Sequence, residues 1–299
     1  MPSHVFSTLG MWQEVIGSDR AADDETIAYT ARVSPQAAAD PAKNPGRYHF
    51  LDFLTNAYLQ LGQDQQAKRI VDVRNSVAEY AASFRYSGHT AFAAIPVRYV
   101  FERAAWAEAA ALAIPKTPFA QAEAITWFGR AIGAARSGDT TRAKEAIDQL
   151  GVLKDRLAQA NDAYWTGQVA IQEQAAAAWL ALAEGRKGEA IAAMRQAADL
   201  EDRSGKHVAM ENRLSPIREL LGELLLEAKE PAQALKEFET SLRNNPNRYR
   251  SFAGAAKAAE RAGDRAQAKS YYEKLVALAG SADTARPELV AAKQYLARK

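Results

Sequence analysis

Residues 231–278 read PAQALKEFETSLRNNPNRYRSFAGAAKAAERAGDRAQAKSYYEKLVAL, and their internal repetition decides the fold. Ala234 and Phe238, near the start of this stretch, are echoed 34 residues later by Ala268 and Tyr272. A fixed period of this length is typical of repeat proteins in which each repeat is one helix-turn-helix unit. The stretch therefore predicts an array of stacked helix pairs.

The repeat has a physical cause in helix packing. A small residue on the second helix of each unit lets two backbones approach closely, and an aromatic residue fills the gap between neighbouring pairs. Followed through the chain, with intervals of 34 to 52 residues, the small position falls on Val15, Ala67, Ala109, Ala143, Ala190, Ala234 and Ala268. These positions predict seven units.

Turns and irregular segments fit between these units. Glycine, which ends helices in the left-handed conformation, marks the predicted turns at Gly10, Gly62, Gly138, Gly185 and Gly263. The longer intervals predict insertions at residues 33–47, around Ser87 and Gly88, and at residues 202–212. Pro96 predicts a kink or a late start in the first helix of the third unit, and Pro287 opens a final helix that runs to Arg298.

The order of residues in the last two units resembles the tetratricopeptide repeat family. The first of these units carries Leu221, Gly222, Ala234, Phe238 and Pro246, and the second carries Phe252, Gly263, Ala268 and Tyr272. The resemblance extends over essentially the whole chain, with Trp127 at the bulky first-helix position. It implies an all-α, right-handed superhelical solenoid of about seven units with a C-terminal capping helix.

We accordingly expect a single domain over residues 1–299. It divides into a truncated first unit (1–32), an insertion (33–47), repeat units (48–285) and a capping helix (286–299). The opening residues, from Met1 to Phe6 with Leu9 and Gly10, resemble a bacterial tetratricopeptide subgroup in which similar residues lie well inside a longer chain. The chain is therefore expected to be the C-terminal part of a longer protein, and its localisation stays unassigned because an export signal would lie upstream.

Composition argues against several classes of function. With 38 Lys and Arg against 36 Asp and Glu, the chain lacks the basic excess of a nucleic-acid-binding protein. It has no cysteine, and its longest apolar run, residues 175–183, is too short to insert into a membrane. Phosphate-loop, dinucleotide-turn, Gly-x-Ser-x-Gly and His-Glu-x-x-His motifs are missing. We therefore predict a protein that is not an enzyme and needs no cofactor.

The resemblance implies binding by the first helices, which line the concave face of such arrays. In the first three units the positions that usually touch ligands are occupied by His4, His49, Asp52, Asn56, Arg98 and Glu102. His49 and Asp52 lie three residues apart and share a helix face, so with His4 they could hold a divalent metal. Arg98 with Asn56 could instead grip a carboxylate or phosphate. In the third interpretation, the two histidines are half-buried helix residues bonded to neighbours.

A second group of candidates lies in the last units. Glu219, Glu223 and Glu227 recur every four residues, opposite the cations Arg250, Lys257 and Arg261. Either the two stripes pair with each other across the stack, or they form a groove for a peptide. Trp179 occupies a similar ligand-facing position and is either core or a ligand anchor.

The function predicted from these observations is a non-catalytic scaffold that presents a concave groove to a peptide or another protein. In this hypothesis Arg98, Asn56 and Asp52 orient the partner. The alternative is a small-molecule or metal-binding accessory protein that uses the N-terminal groove.

Overall fold

The chain folds into consecutive helices in the computed structural model, which describes residues 2–77, 86–205 and 214–298. No strand occurs in these three ranges, and none of their helices combines the length and apolarity of a membrane span. The helices are α1 (Pro2–Thr8), α2 (Trp12–Val33), α3 (Pro35–Ala38), α4 (Tyr48–Gln60), α5 (Asp64–Asn75), α6 (Tyr86–Glu102), α7 (Trp106–Ala110), α8 (Ala120–Arg136), α9 (Thr140–Gln159), α10 (Ala163–Ala183), α11 (Lys187–Arg203), α12 (Ile217–Glu227), α13 (Pro231–Asn244), α14 (Tyr249–Ala262), α15 (Arg265–Leu278) and α16 (Pro287–Ala297).

These helices pack as seven pairs in chain order. The pairs are α1 with α2, α4 with α5, α6 with α7, α8 with α9, α10 with α11, α12 with α13 and α14 with α15. The second helix of each pair also packs against the first helix of the next, and α16 packs on α15. The predicted all-α array of seven units with a final helix is therefore confirmed.

The small residues of the repeat are fully buried between the helices. Val15 is 1 % exposed and the six alanines predicted to share its position are 0 % exposed. The helices also approach closely around Phe238, because a Cβ added to Gly222 would lie 2.8 Å from the phenylalanine ring. Gly254 faces the same ring from α14. The register read from the sequence is thus confirmed by burial.

The turns inside the units also follow the prediction, with two exceptions that lack glycine. Gly10, Gly62, Gly138, Gly185 and Gly263 all have positive φ. In the third and sixth units the same left-handed position is taken by Ala104 (φ 53°) and Lys229 (φ 62°). Only glycine adopts this conformation without steric cost, so these two turns carry no signal in the sequence.

Helix α6 starts ten residues before Pro96 and continues past it, contrary to the expected late start. A proline lacks the N–H that would bond the carbonyl four residues earlier, which here is that of Phe92. That carbonyl instead accepts a hydrogen bond from Arg74 Nε at 3.0 Å, and the Arg74 guanidinium lies 4.1 Å from the Phe92 ring. The side chain from α5 therefore replaces the missing backbone donor, and the helix runs through the proline.

The irregular segment at residues 33–47 contains α3 and two short 3₁₀ turns, Pro41–Lys43 and Pro45–Arg47. Arg47 fixes its end on α2, donating to both carboxylate oxygens of Asp23 at 2.7 and 2.8 Å. Of the other two expected insertions, Ser87 and Gly88 belong to the first turn of α6. Residues 206–212 lie outside the described residues.

The first unit contacts a loop near the other end of the array. Trp12 Nε1 donates to the carbonyl of Asn247 at 2.6 Å, and Asn247 Nδ2 donates to the carbonyl of Gly10 at 3.2 Å. Gly10 lies so close to the backbone of Pro246 that a side chain would not fit between them. These residues are more than two hundred positions apart in the chain.

The second unit is joined to the segment between α15 and α16. The Asp283 carboxylate accepts from the backbone N–H groups of Gln65 at 3.0 Å and Gln66 at 3.3 Å. Arg286 pairs with Asp64, and both side chains are almost fully buried. These contacts join residues 10–12 and 59–66 to residues 246–249 and 281–286. We call them the closure seam. An open array would leave its first and last units apart, whereas this one closes on itself.

Candidate binding site

His4 and His49 meet between α1 and α4. Their Nε2 atoms are 3.0 Å apart, so one imidazole donates to the other and the acceptor ring is neutral. His4 also stacks on Phe53 at a centroid distance of 4.9 Å. Burial and then the neighbouring His4 lower the pKa of His49. This arrangement matches the interpretation of two half-buried histidines that bond to neighbours.

Asp52 and Arg98 form an internal ion pair between α4 and α6. Arg98 Nε and Nη2 donate to the two carboxylate oxygens at 2.7 and 3.2 Å, and the side chains are 1 % and 9 % exposed for Arg98 and Asp52. Asn56 is buried beside them and accepts from Gln60 Nε2 at 3.2 Å. The helix-face argument placed these groups together correctly, but they face a neighbouring helix and not an open groove.

The metal alternative gains no support from this geometry. Among the described residues there is no group of three or more His, Asp or Glu side chains positioned to hold a metal ion. Both oxygens of Asp52 are already taken by Arg98. The anion alternative is weakened as well, because the Arg98 guanidinium already donates to Asp52.

Glu102 belongs to a buried ion network that adjoins the closure seam at Arg248. It accepts from Arg248 Nη2 at 2.5 Å, and the same arginine donates to Glu219 at 2.8 and 3.0 Å. Burial lowers the pKa of Arg248, but the two carboxylates outweigh burial and leave this pKa raised. Glu102 is 2 % exposed, so it joins distant units and is not presented to a partner.

The acidic and basic stripes of the last units pair only in part. Glu223 accepts from Arg250 Nε at 2.8 Å and from Arg136 of α8, and Glu227 accepts from Arg136 Nη2 at 2.5 Å. Burial raises the pKa of Glu223, but Arg250 and Arg136 outweigh burial and leave this pKa lowered. Arg136 therefore pairs with the carboxylates of α12. The sequence interpretation had expected Lys257 and Arg261 to form these pairs.

Trp179 forms one wall of an aromatic sandwich. The guanidinium of Arg136 lies 3.9 Å from the ring centroid of Trp106 and 4.0 Å from that of Trp179. Such stacking of a cation between two indoles is favourable when the groups are desolvated. Trp179 is only 2 % exposed. The structure thus places it in the core, and it offers no surface to a ligand.

A cavity of about 610 Å³ lies between α12 and α14 and is the strongest candidate for a binding site. Its volume is within the range of ligand pockets in proteins. Part of its lining is apolar and comes from Leu226, Phe238 and Ala253. The other lining residues are Ala104, Arg136, Glu223, Glu227, Lys229, Tyr249, Arg250, Gly254, Lys257, Arg261 and Glu288. We call it the α12–α14 cavity.

The charges around this cavity are unbalanced. Five cations and three carboxylates line it, and Arg136 and Arg250 are bound to Glu223 and Glu227. The remaining cations are exposed. Within the described ranges, Lys229, Lys257 and Arg261 form no ion pair, and Arg261 donates only to the carbonyl of Leu226.

Sequence reasoning identified only part of this site. Arg250, Lys257 and Arg261 were candidates because they share one face of a helix. Arg136 and Lys229 were not candidates. Arg136 precedes Glu223 by 87 residues and belongs to another unit, and Lys229 lies in a turn. No local pattern could have brought these two residues into the cavity.

Comparison with solved structures finds chains that are similar to this one. One is a tetratricopeptide repeat protein from Parabacteroides merdae ATCC 43184, with 12 % identity, 95 % of this chain and 97 % of that chain covered, and a TM-score of 0.47. Another is the APC/C hetero-tetramer Cut9–Hcn1, with 12 % identity, 91 % and 51 % coverage, and a TM-score of 0.36. No model of a known protein family matches the chain, and no curated protein matches it.

Proposed function

We propose that the protein is a non-catalytic scaffold that binds a segment of another protein in the α12–α14 cavity. The observation that carries this proposal is an accessible cavity with apolar walls and three exposed cations that have no ion-pair partner among the described residues. Two of these cations, Lys257 and Arg261, lie on α14, the first helix of the last pair. First helices form the binding face in the family that the sequence resembles.

The proposal moves the binding site away from the N-terminal units. Asp52, Asn56 and Arg98 satisfy one another or their neighbours inside the array, so they stabilise helix packing and are not free to orient a partner. The orienting role falls instead to the exposed cations of the α12–α14 cavity.

The charges of the cavity also favour binding over catalysis. A general acid or base at neutral pH needs a pKa near neutrality and a free proton-transfer position. Glu223 and Glu227 are both engaged by guanidinium groups, and the pKa of Glu223 is lowered, not raised. Glu223 therefore lacks the properties of a catalytic acid or base.

Filling the cavity tests the proposal. Ala253→Phe would place a phenyl ring on the cavity wall, whereas Ala266→Phe adds the same ring to an exposed position of α15 outside it. Peptides would be selected from a random display library on the wild-type protein and their dissociation constants then measured for both variants. We expect Ala253→Phe to lose binding and Ala266→Phe to retain it.

The opposite pattern would reject the site. If selected peptides bind Ala253→Phe as tightly as wild type, while circular dichroism shows both variants folded, the peptides bind elsewhere. If the wild-type protein enriches no peptide at all, the scaffold proposal itself fails.

A further inference from the structure

We infer that the bound segment is an extended acidic peptide whose carboxylates alternate along the chain and pair with Lys257 and Arg261. This inference rests on the proposed function and adds the chemical class and spacing of the partner. It follows from three properties of the α12–α14 cavity: the sign of its uncompensated charge, the geometry of its cations and the mixture of apolar and charged wall.

The uncompensated charge of the cavity is positive. The carboxylates Glu223 and Glu227 are held by Arg136 and Arg250, which leaves Glu288 as the one other acidic side chain among the lining residues. Three exposed cations face it, so the cavity repels basic segments and attracts acidic ones. Complementary charge of this kind mainly sets specificity and the rate of encounter.

The spacing of the cations defines the spacing of the partner. Lys257 and Arg261 are four residues apart on α14, so they lie on one face and are separated by about 6 Å along the helix axis. In an extended peptide, side chains two residues apart point to the same side and are separated by about 7 Å. Carboxylates at alternate positions can therefore meet both cations at once, and Lys229 also lines the cavity.

The rest of the wall suits the intervening residues. Between two alternating carboxylates, the intervening side chain points to the other side of the peptide. The cavity offers Leu226, Phe238 and Ala253 as apolar lining, against which small or apolar side chains can be buried. A sequence of acidic residues without such spacers would place every second carboxylate against this apolar wall or against Glu223, which is unfavourable.

The test uses the full chain and two labelled octapeptides of equal charge. One alternates Ser and Glu, and the other contains the same residues in blocks, with two Glu followed by two Ser. Dissociation constants would be measured by fluorescence anisotropy for the wild type and for the double reversal Lys257→Glu with Arg261→Glu. The control is Lys144→Glu with Lys236→Glu, which changes the net charge equally at exposed positions outside the cavity.

We expect the wild type to prefer the alternating peptide over the block peptide. The cavity reversal should weaken binding of the alternating peptide about tenfold or more, as expected for the loss of two ion pairs, and the control should bind like the wild type. Equal binding of the two peptides would overturn the spacing. Equal loss in both double variants would show attraction by net charge alone and overturn the site.

Two further measurements distinguish an acidic-peptide site from a small-anion site, and failure of this inference from failure of the proposed function. Free glutamate and inorganic phosphate would be added as competitors, and displacement of the peptide by either at similar concentration would show a small-anion site. A neutral peptide that binds wild type, fails to bind Ala253→Phe and ignores the reversal would overturn the acidic partner while supporting the scaffold.

Discussion

Asp19 is the residue whose environment least suits its charge. It lies on α2 at 0 % exposure, and neither carboxyl oxygen has a hydrogen-bond partner among the described residues. Burial raises the pKa of Asp19 from 3.8 to about 6. The Ser3 side chain lowers this pKa, but burial outweighs it, because a carboxylate that folds into such a site loses its hydration. At neutral pH this residue therefore opposes folding.

Replacement of this carboxyl should stabilise the protein. We expect Asp19→Asn to raise the free energy of unfolding at pH 7.5 by up to about 3 kcal/mol, since each unit of pKa difference corresponds to about 1.4 kcal/mol. The folded-state pKa is raised, so the penalty is complete above it and declines as the pH falls through about 6. Urea unfolding at pH 7.5 and pH 4.5 would measure the gain, which should be much smaller at the lower pH.

The same substitution one turn along α2 provides the control. Asp23 is bound by Arg47 through two hydrogen bonds, so Asp23→Asn removes a partner that the arginine needs. It should lower the free energy of unfolding. Destabilisation by both substitutions to a similar extent would show that Asp19 has a bonding partner in solution and that its charge is not opposed by burial.

At the scale of the helix, α5 differs from its counterparts in the source of its N-cap. Helices α9, α10 and α15 are capped by the preceding residues Asp139, Asp162 and Asp264. Helix α5 follows Gln63, which makes no side-chain cap. Its first N–H groups are bonded by Asp283, which lies 218 residues away. One carboxylate thus completes a helix end and closes the array.

This arrangement predicts a distant effect of a local change. We expect Asp283→Ala to lower the free energy of unfolding by about 1 kcal/mol, the usual value of a helix cap. Hydrogen exchange should become faster at the start of α5 as well as between α15 and α16. In Asp264→Ala, which removes a local cap of the same kind, the faster exchange should stay within α15. Unchanged exchange in α5 of Asp283→Ala would contradict the structure.

Sequence patterns predicted the helices well and their surroundings poorly. The small residue at each crossing is a local requirement of packing, so positions from Val15 to Ala268 could be read directly. The late start expected at Pro96 was wrong, because the compensation of this proline by Arg74 comes from another helix. Asp52 and Arg98 were placed on helix faces correctly. The periodicity of the sequence is the same for a helix face that borders a groove and for one that packs on a neighbouring helix, so it could not distinguish the two. For the same reason, the sequence pointed to the cavity only through the charged stripes of α12 and α14, and not through Arg136 or Lys229.

At the scale of the molecule, the closure seam depends on the buried pair of Arg286 and Asp64. Their side chains are 5 % and 6 % exposed. Arg286 Nη2 also donates to the carbonyl of Leu59 at 3.0 Å, and its guanidinium lies 4.5 Å from the ring centroid of Tyr249. One side chain therefore touches the second unit, the last pair and the segment before α16.

Removal of this side chain should open the array. We expect Arg286→Ala to lower the free energy of unfolding by about 3–5 kcal/mol, because Asp64 is left buried without its partner, and to increase the radius of gyration measured by small-angle X-ray scattering. Arg32→Ala is the control, since Arg32 pairs with Glu25 at 60 % and 68 % exposure and such pairs contribute little. A destabilised variant with an unchanged radius of gyration would show that other contacts keep the array closed.

Closure also changes how the chain gains and loses its structure. In a linear array the terminal repeats have one neighbour each, so melting starts there and proceeds inward. Here the first two units are bonded to loops near the other end, through contacts such as that between Gln65 and Asp283, 218 residues apart. In a nearest-neighbour model of folding, the units then form a circle in which no unit is a free end. Such a circle resists fraying, but it forms slowly because its last contacts have the highest contact order.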